Sequence, residues 1–247
     1  QKMSRFFTSP GNVGAENIQI NNKEDLHHLT KVLRLRVGDQ VEISDGDQWE
    51  YQGELVEISQ EGALVKILDK QKFAKEPELK VTLFQGIPKQ GKMELIVQKT
   101  TELGISAIVP VFMDRTVVTD NGKFSKKILR YQSVAAEAAK QCGRGIIPQV
   151  KEEIKFKEMI EGLNAFDLVL FPYENEENRT IKDALSTLLD KPKTLAMIIG
   201  PEGGFSHQEA EQLKAANTQC VSLGKTILRT ETAGMAALSM CMYELEL

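Results

Sequence analysis

The segment IIGPEGGFSHQE (198–209) combines several features suited to ligand binding. An apolar run ends at Ile199, and Gly200, Gly203 and Gly204 then let the backbone bend where side chains would intrude. Ser206 and Glu209 form an S-x-x-E pair, which predicts a capping box and a helix start just past the loop. Such a turn, at the carboxyl end of a strand, is where open α/β sheets bind ligands, although an ordinary strand-to-helix turn is the alternative. A second segment, LGKTILRTETAG (223–234), follows another short apolar run. Thr230 or Thr232 can cap the helix that begins there, and Glu231 suits its first turn. Arg229, beside this turn, is suited to hold an anion or a developing oxyanion, or else to make a surface ion pair with Glu231. A third strand, LVLFPYE (168–174), ends in a proline-bearing corner, so three strand ends could converge on one pocket.

Other chemistries fit less well. GIPKQGK (86–92) matches the P-loop spacing, but Met93 stands where a magnesium-binding Ser or Thr belongs. Pro88 also removes one of the N–H groups that would cradle phosphate. GKT (224–226) has Gln219 in place of the leading glycine, and no G-x-G-x-x-G follows a strand. Cys142, Cys220 and Cys241 make neither a disulfide framework nor a metal-binding pair, so no metal site is expected and the thiols read as buried and free.

The elements that must position these loops fall into two regions. In the first, Leu26, Leu29, Val32 and Leu33 mark one apolar helix face, and alternating runs at 41–44, 49–58 and 63–68 read as antiparallel hairpins. A small β-barrel or sandwich with one helix is expected, and the hydrophilic stretch 69–78 is the natural boundary. Beyond it, strands predicted at 79–85, 106–112, 167–171, 195–199 and 220–223 alternate with helices near 92–103, 124–142, 179–189, 207–217 and 232–246. That alternation argues for a mostly parallel sheet with both faces covered.

Composition sets outer limits. With 247 residues, 41% hydrophobic and 27% charged, the chain is ordinary for a globular protein. No run is long and apolar enough to span a bilayer, and no apolar core follows QKMSRFF, so neither a membrane partner nor a signal peptide is expected and a cytoplasmic location is. The formal net charge of −4 does not suggest a nucleic-acid binder. Yet Arg115, Lys123, Lys126, Lys127, Arg130, Lys140, Arg144 and Lys151 face only Asp120 and Glu137 in one stretch, which is either a solvated helix face or a phosphate contact.

RFF (5–7), HHLTKVLRLRVGD (27–39), KQGKMELIVQKTTELG (89–104), AAEAAKQCGR (135–144), IGPEGGFS (199–206) and LGKTILRTETA (223–233) together closely resemble the RsmE family. The likeness runs from Arg5 into the last helix; Thr116 stands where serine is expected, with the hydroxyl kept. Members of that family transfer a methyl group from S-adenosylmethionine (SAM) to N3 of a uridine in 16S rRNA. The resemblance implies an α/β fold: a small PUA-like RNA-binding β-barrel over 1–73, then a SPOUT-type domain over 74–247 whose mostly parallel sheet is threaded into a trefoil knot. It implies a homodimer acting on 16S rRNA or the assembled small ribosomal subunit.

The resemblance places SAM against Phe171, Pro172, Glu174, Ile199, Gly200, Glu202, Gly203, Gly204, Leu223, Gly224, Ile227, Leu228, Arg229, Thr230 and Ala233, with Leu223, Ile227 and Leu228 packing its apolar parts. Arg229 is the expected catalytic stabiliser of charge on the uracil, and Glu231 a base or simply a helix-start residue. Arg5, Lys31, Arg34, Arg36, Lys89, Lys92, Arg115 and Arg144 are the expected RNA contacts. Trp49 and Tyr51 are core or base-stacking residues. A non-catalytic RNA-binding or ribosome-assembly factor on the same fold, and an NTP binder using GIPKQGK, are the competing readings.

Overall fold

A computed structural model describes residues 3–73, 76–89, 91–119 and 124–247; Asp120 and Lys123 of the basic stretch lie outside the described residues. The chain forms two compact units, one of residues 1–76 with 139–147, the other of 77–138 with 148–247.

The first unit contains β1 (Ser4–Phe7), β2 (Asn17–Ile20), α1 (Lys23–His27), β3 (Gln40–Ser44), β4 (Trp49–Ile58) and β5 (Ala63–Lys72). Its sheet runs β1-β3-β4-β5-β2, antiparallel except for the β1–β3 pair. Register shifts at Gln52/Gly53 and Leu55/Glu57 bend β4, as bulges do. Phe6, Ile18, Leu29, Val41, Ile43, Leu55 and Val65 pack into one fully buried cluster. The expected helix is shorter than its apolar spacing suggested. After α1 the backbone widens, with the Leu33 N–H reaching back to the His28 carbonyl at 2.9 Å. That change of pitch breaks the predicted face: Leu29 is buried, while Val32 is 58% exposed. Tyr51 belongs to this core, whereas Trp49 is only partly covered and lies under Lys70 Nζ at 4.1 Å.

Two expected RNA contacts prove to be structural. Arg5 is buried, donating to Glu42 and Glu50 and to the Arg144 carbonyl. Arg144 is buried too and forks onto both oxygens of Glu76, at 3.2 and 2.8 Å. These pairs, with Lys140–Asp25 at 2.7 Å, tie residues 139–147 to the first unit. Neither arginine is presented to phosphate, because a buried cation of this kind must keep its carboxylate partner.

The second unit comprises β6 (Lys80–Gly86), α2 (Lys92–Glu102), β7 (Ala107–Phe112), α3 (Phe124–Cys142, whose last turn joins the first unit), β8 (Gln149–Val150), β9 (Ile154–Lys155), α4 (Phe156–Gly162), β10 (Leu168–Pro172), α5 (Ile181–Ser186), β11 (Thr194–Ile199), α6 (His207–Ala215), β12 (Gln219–Val221) and α7 (Thr230–Glu246). Every pairing in its seven-stranded sheet is parallel, in the order β12-β10-β11-β6-β7-β8, with β9 also on β7. Continuous apolar runs such as LAMII are what a sheet covered on both faces requires, and Leu195 to Ile199 are all buried. The sequence reading did not resolve β1, β2, β8, β9 or α4, which are short or lack a clean period. The cysteines are free, but only Cys241 is fully buried. Burial pushes its thiol up to about 12 and that of half-buried Cys220 to about 11, so both stay protonated at neutral pH.

Candidate functional site

Strands β12, β10 and β11 are adjacent and parallel, so the loops that follow them leave the same edge of the sheet. The glycine loop is pressed onto the end of the next strand: a Cβ on Gly86 would stand 2.6 Å from the Pro201 nitrogen. Gly204 takes φ +67°, which closes the turn at little cost only for a residue without a side chain. The Gly204 N–H donates to the Pro201 carbonyl at 2.9 Å. Ser206 then caps α6 as predicted, accepting from Glu209 N–H at 3.1 Å while Glu209 accepts from Ser206 N–H at 2.9 Å.

A buried relay joins this loop to α7. The Gln85 side-chain amide donates to Thr230 Oγ1 at 2.8 Å and to the Gly86 carbonyl at 2.9 Å. Because the Thr230 hydroxyl receives that hydrogen, its own is free to go to the Gly200 carbonyl, 2.7 Å away. Thr230 is thus neither a cap nor solvent-facing. It is the first residue of α7 and buried, and Arg229 occupies the cap position without a side-chain cap. Gln85 was not singled out in the sequence, though a glutamine ending the apolar run LKVTLFQ is a readable oddity.

A second bridge lies nearer the surface. Lys92 Nζ, in the first turn of α2, is 3.2 Å from Glu202 of the glycine loop and 3.2 Å from Glu231 of α7. Glu202 also accepts the Lys89 N–H at 2.9 Å. Partial desolvation pulls the Lys92 ammonium down, but its pairing with the two carboxylates outweighs this and holds it above the usual lysine value. Desolvation likewise opposes ionisation of Glu202, yet the Lys89 N–H and Lys92 hold it below the usual carboxylate range. Lys92 is therefore not a free phosphate contact, nor a P-loop lysine. The expected Arg229–Glu231 pair is absent: among the described residues Glu231 pairs with Lys92, and the exposed Arg229 guanidinium makes no ion pair or hydrogen bond.

The segment after β7 forms a third clasp. Arg115 Nη1 donates to the Gly203 carbonyl at 2.7 Å, and Ser206 Oγ to Asp114 at 2.6 Å. Buried Glu209 takes the Asp114 N–H at 2.8 Å. A Cβ on Gly203 would stand 3.0 Å from that of Arg115, so a side chain there would press on this clasp. Thr116 Oγ1 accepts from Met113 N–H at 3.0 Å. Arg115, expected on RNA, is engaged in holding the loop.

The proposed cofactor residues divide by exposure. Phe171 and Ile199 are buried, Phe171 edge-on to Phe205 at 5.9 Å, and can meet a ligand only through their main chain. Pro172, Leu223, Leu228 and Ala233 are half-buried; Glu174, Gly203 and Gly224 are exposed, as is the Glu202 main chain, although the Glu202 side chain is largely covered. Ile227 is 82% exposed, the opposite of a packed residue. Such apolar surface on a strand-end loop suits an adenosine-bearing ligand that would cover it. Leu223 and Gly224 also line a cleft of about 250 Å³ with Ile181, Met240 and Tyr243. The residues thus fit SAM in kind: glycine-bounded main chain and apolar side chains at the strand ends. Among the described residues no cluster of His, Cys, Asp or Glu is arranged to hold a metal ion.

Comparison with known proteins agrees in both units. Residues 75–242 match an RNA methyltransferase domain and residues 20–68 an RNA methyltransferase PUA domain. Ribosomal RNA small subunit methyltransferase E of Bacillus subtilis is 35% identical over 228 residues, covering 91% of this chain and 89% of its own. The protein of the same name from Mesomycoplasma hyopneumoniae is 31% identical over 244 residues, 98% of this chain and all of its own. The crystal structure of that enzyme from Neisseria gonorrhoeae, bound to S-adenosyl methionine, superimposes with a TM-score of 0.86 at 29% identity and 98% coverage of both chains.

Proposed function

This chain belongs to the RNA methyltransferase family, and from that premise we propose that it methylates N3 of a uridine in small-subunit rRNA, with SAM as donor. The observation that carries the reading is that β10, β11 and β12 lie side by side and parallel, so that the loops after them leave one edge beside Arg229, which has no partner among the described residues. Residues 1–73 serve as the RNA-gripping module and 74–247 as the transferase, threaded as a trefoil knot.

When bound, SAM supplies a methyl group on a positively charged sulfur, which leaves as a neutral thioether. The N3 proton of uridine must depart, to solvent water, for the nitrogen lone pair to form the new bond. Charge then grows on the uracil oxygens, and the Arg229 guanidinium is free to stabilise it. Glu231, committed to Lys92, acts in the helix start and its ion pair rather than as the base. Alignment of the two reactants by the pinned loops supplies much of the remaining acceleration. The rRNA backbone meets Lys31, Arg34, Arg36 and Lys89, all exposed. Two copies associate through α7, where Met240 and Tyr243 are 40% and 69% exposed. No helix among the described residues is long and apolar enough to cross a membrane.

Titration with S-adenosylhomocysteine in metal-free buffer, followed by methylation of small-subunit rRNA, tests the reading. Binding near one per chain and a reverse-transcription stop at a single uridine are expected, since N3 methylation blocks the pairing edge. Arg229→Ala should abolish the stop while changing homologue affinity only a few-fold. Absence of both binding and stop would overturn the reading; a stop that persists in Arg229→Ala would remove Arg229 from its role.

A further inference from the structure

Three elements approach one another at the Lys92 ammonium: the start of α2, the glycine loop and the first turn of α7. Glu202 and Glu231 are each 3.2 Å from it, with side chains only 22% and 14% exposed. Glu231 Oε2 is buried and accepts no hydrogen bond, so its compensation is this ion pair. On the Glu202 side the contact is reinforced by the Lys89 N–H, which anchors the glycine loop to the lead-in of α2. Arg229 is two residues from Glu231 and its side chain has no partner of its own among the described residues, so its position depends on how the first turn of α7 is held. The buried Gln85–Thr230–Gly200 relay fixes the inner side of that turn, and Lys92 is what fixes the outer side.

We propose that Lys92 is a positioning residue for methyl transfer: by pairing with Glu202 and Glu231 together it sets the separation between the cofactor loop and the turn that carries Arg229. The proposal rests on the methyltransferase reading above. A lysine at the start of a helix beside an RNA-facing surface would ordinarily be a phosphate contact, and the two roles make opposite predictions. A phosphate contact contributes to RNA affinity, adds about one to the salt slope and leaves turnover at saturating RNA unchanged. A positioning residue leaves the salt slope alone and acts on turnover, because a displacement of about 1 Å at a reacting centre can cost about 100-fold.

The test uses the full chain with Lys92→Met, Lys92→Arg and Glu202→Gln, measuring kcat and KM for rRNA, the salt dependence of RNA binding, S-adenosylhomocysteine affinity and thermal unfolding. For Lys92→Met, kcat is expected to fall by about 10- to 100-fold with an unchanged salt slope. Lys92→Arg, which keeps a cation between the carboxylates, should recover most of the loss, and adding Glu202→Gln to Lys92→Met should cost less than it does in wild type. Should Lys92→Met prove unfolded, Lys92→Arg and Glu202→Gln carry the test: a lowered kcat in Glu202→Gln with an unchanged salt slope supports the bridge, and a wild-type kcat overturns it. An unchanged kcat in Lys92→Met with the salt slope reduced by about one would equally overturn the proposal and restore the phosphate role. A wild-type protein that neither binds the homologue nor methylates rRNA would instead sink the methyltransferase reading on which it rests.

Discussion

At the scale of single residues, the site's response to acid runs through Glu202. Its carboxyl is opposed by desolvation but held below the ordinary 4.5 by the Lys89 N–H and Lys92. A depressed folded-state value means that the group contributes stability above 4.5 and loses that contribution as pH falls toward and through the lowered value. Lys92 works in the other direction, its raised value placing its own loss above 10.5. Urea unfolding followed from neutral pH into the acid range should therefore show stability declining below about pH 4.5, and less steeply in Glu202→Gln. Parallel declines in the two proteins would show that Asp167, Glu176, Asp183 and Glu211, also lowered, account for the acid sensitivity without Glu202. Residue types alone suggested the roles proposed for Arg229 and the glycines. They could not announce partners: Glu231 reads as a match for Arg229 in sequence, and only folding brings in Lys92, 139 positions away.

At the scale of elements, α7 is joined to the sheet through Thr230. Removing its hydroxyl leaves the Gly200 carbonyl and a Gln85 donor buried without their partner, a loss of about 1–3 kcal/mol. Thr230→Val, which keeps the shape, should lower stability by about that amount and, if the loop holding Gly200 binds the cofactor as proposed, weaken S-adenosylhomocysteine binding. Equal affinity in a destabilised variant would confine the relay to a purely structural role. The capping box at Ser206–Glu209 was legible because it is local, four residues that satisfy one another. Thr230 misled for the complementary reason. A threonine at a helix start reads as a cap, and its diversion to Gly200 depends on a strand end from elsewhere in the chain. Val32 misled in the same way, since its apolar spacing assumed a regular pitch that the wide turn after α1 does not keep.

At the scale of the whole molecule, buried charge organises the first unit. Arg144→Met should destabilise it by about 3–5 kcal/mol through the stranded Glu76, whereas Arg36→Met should leave stability unchanged and reduce the salt dependence of RNA binding. If instead Arg144→Met left unfolding untouched and lowered RNA affinity, Arg144 would be a surface contact after all. Sequence composition cannot separate these two arginines, because charge count is blind to burial. What the sequence by itself determined was the alternation of strands and helices, the two regions, the glycine loop and the family, since periodicity, local turn chemistry and long motifs are all written in consecutive residues. Only the tertiary structure decided that β10, β11 and β12 lie side by side, that Arg5 and Arg144 are buried, and that Lys92 bridges two carboxylates. Those outcomes depend on strand order and on which side chains are carried together from distant positions, and a pattern of neighbours along the chain does not encode the distance between residues brought together by a crossover.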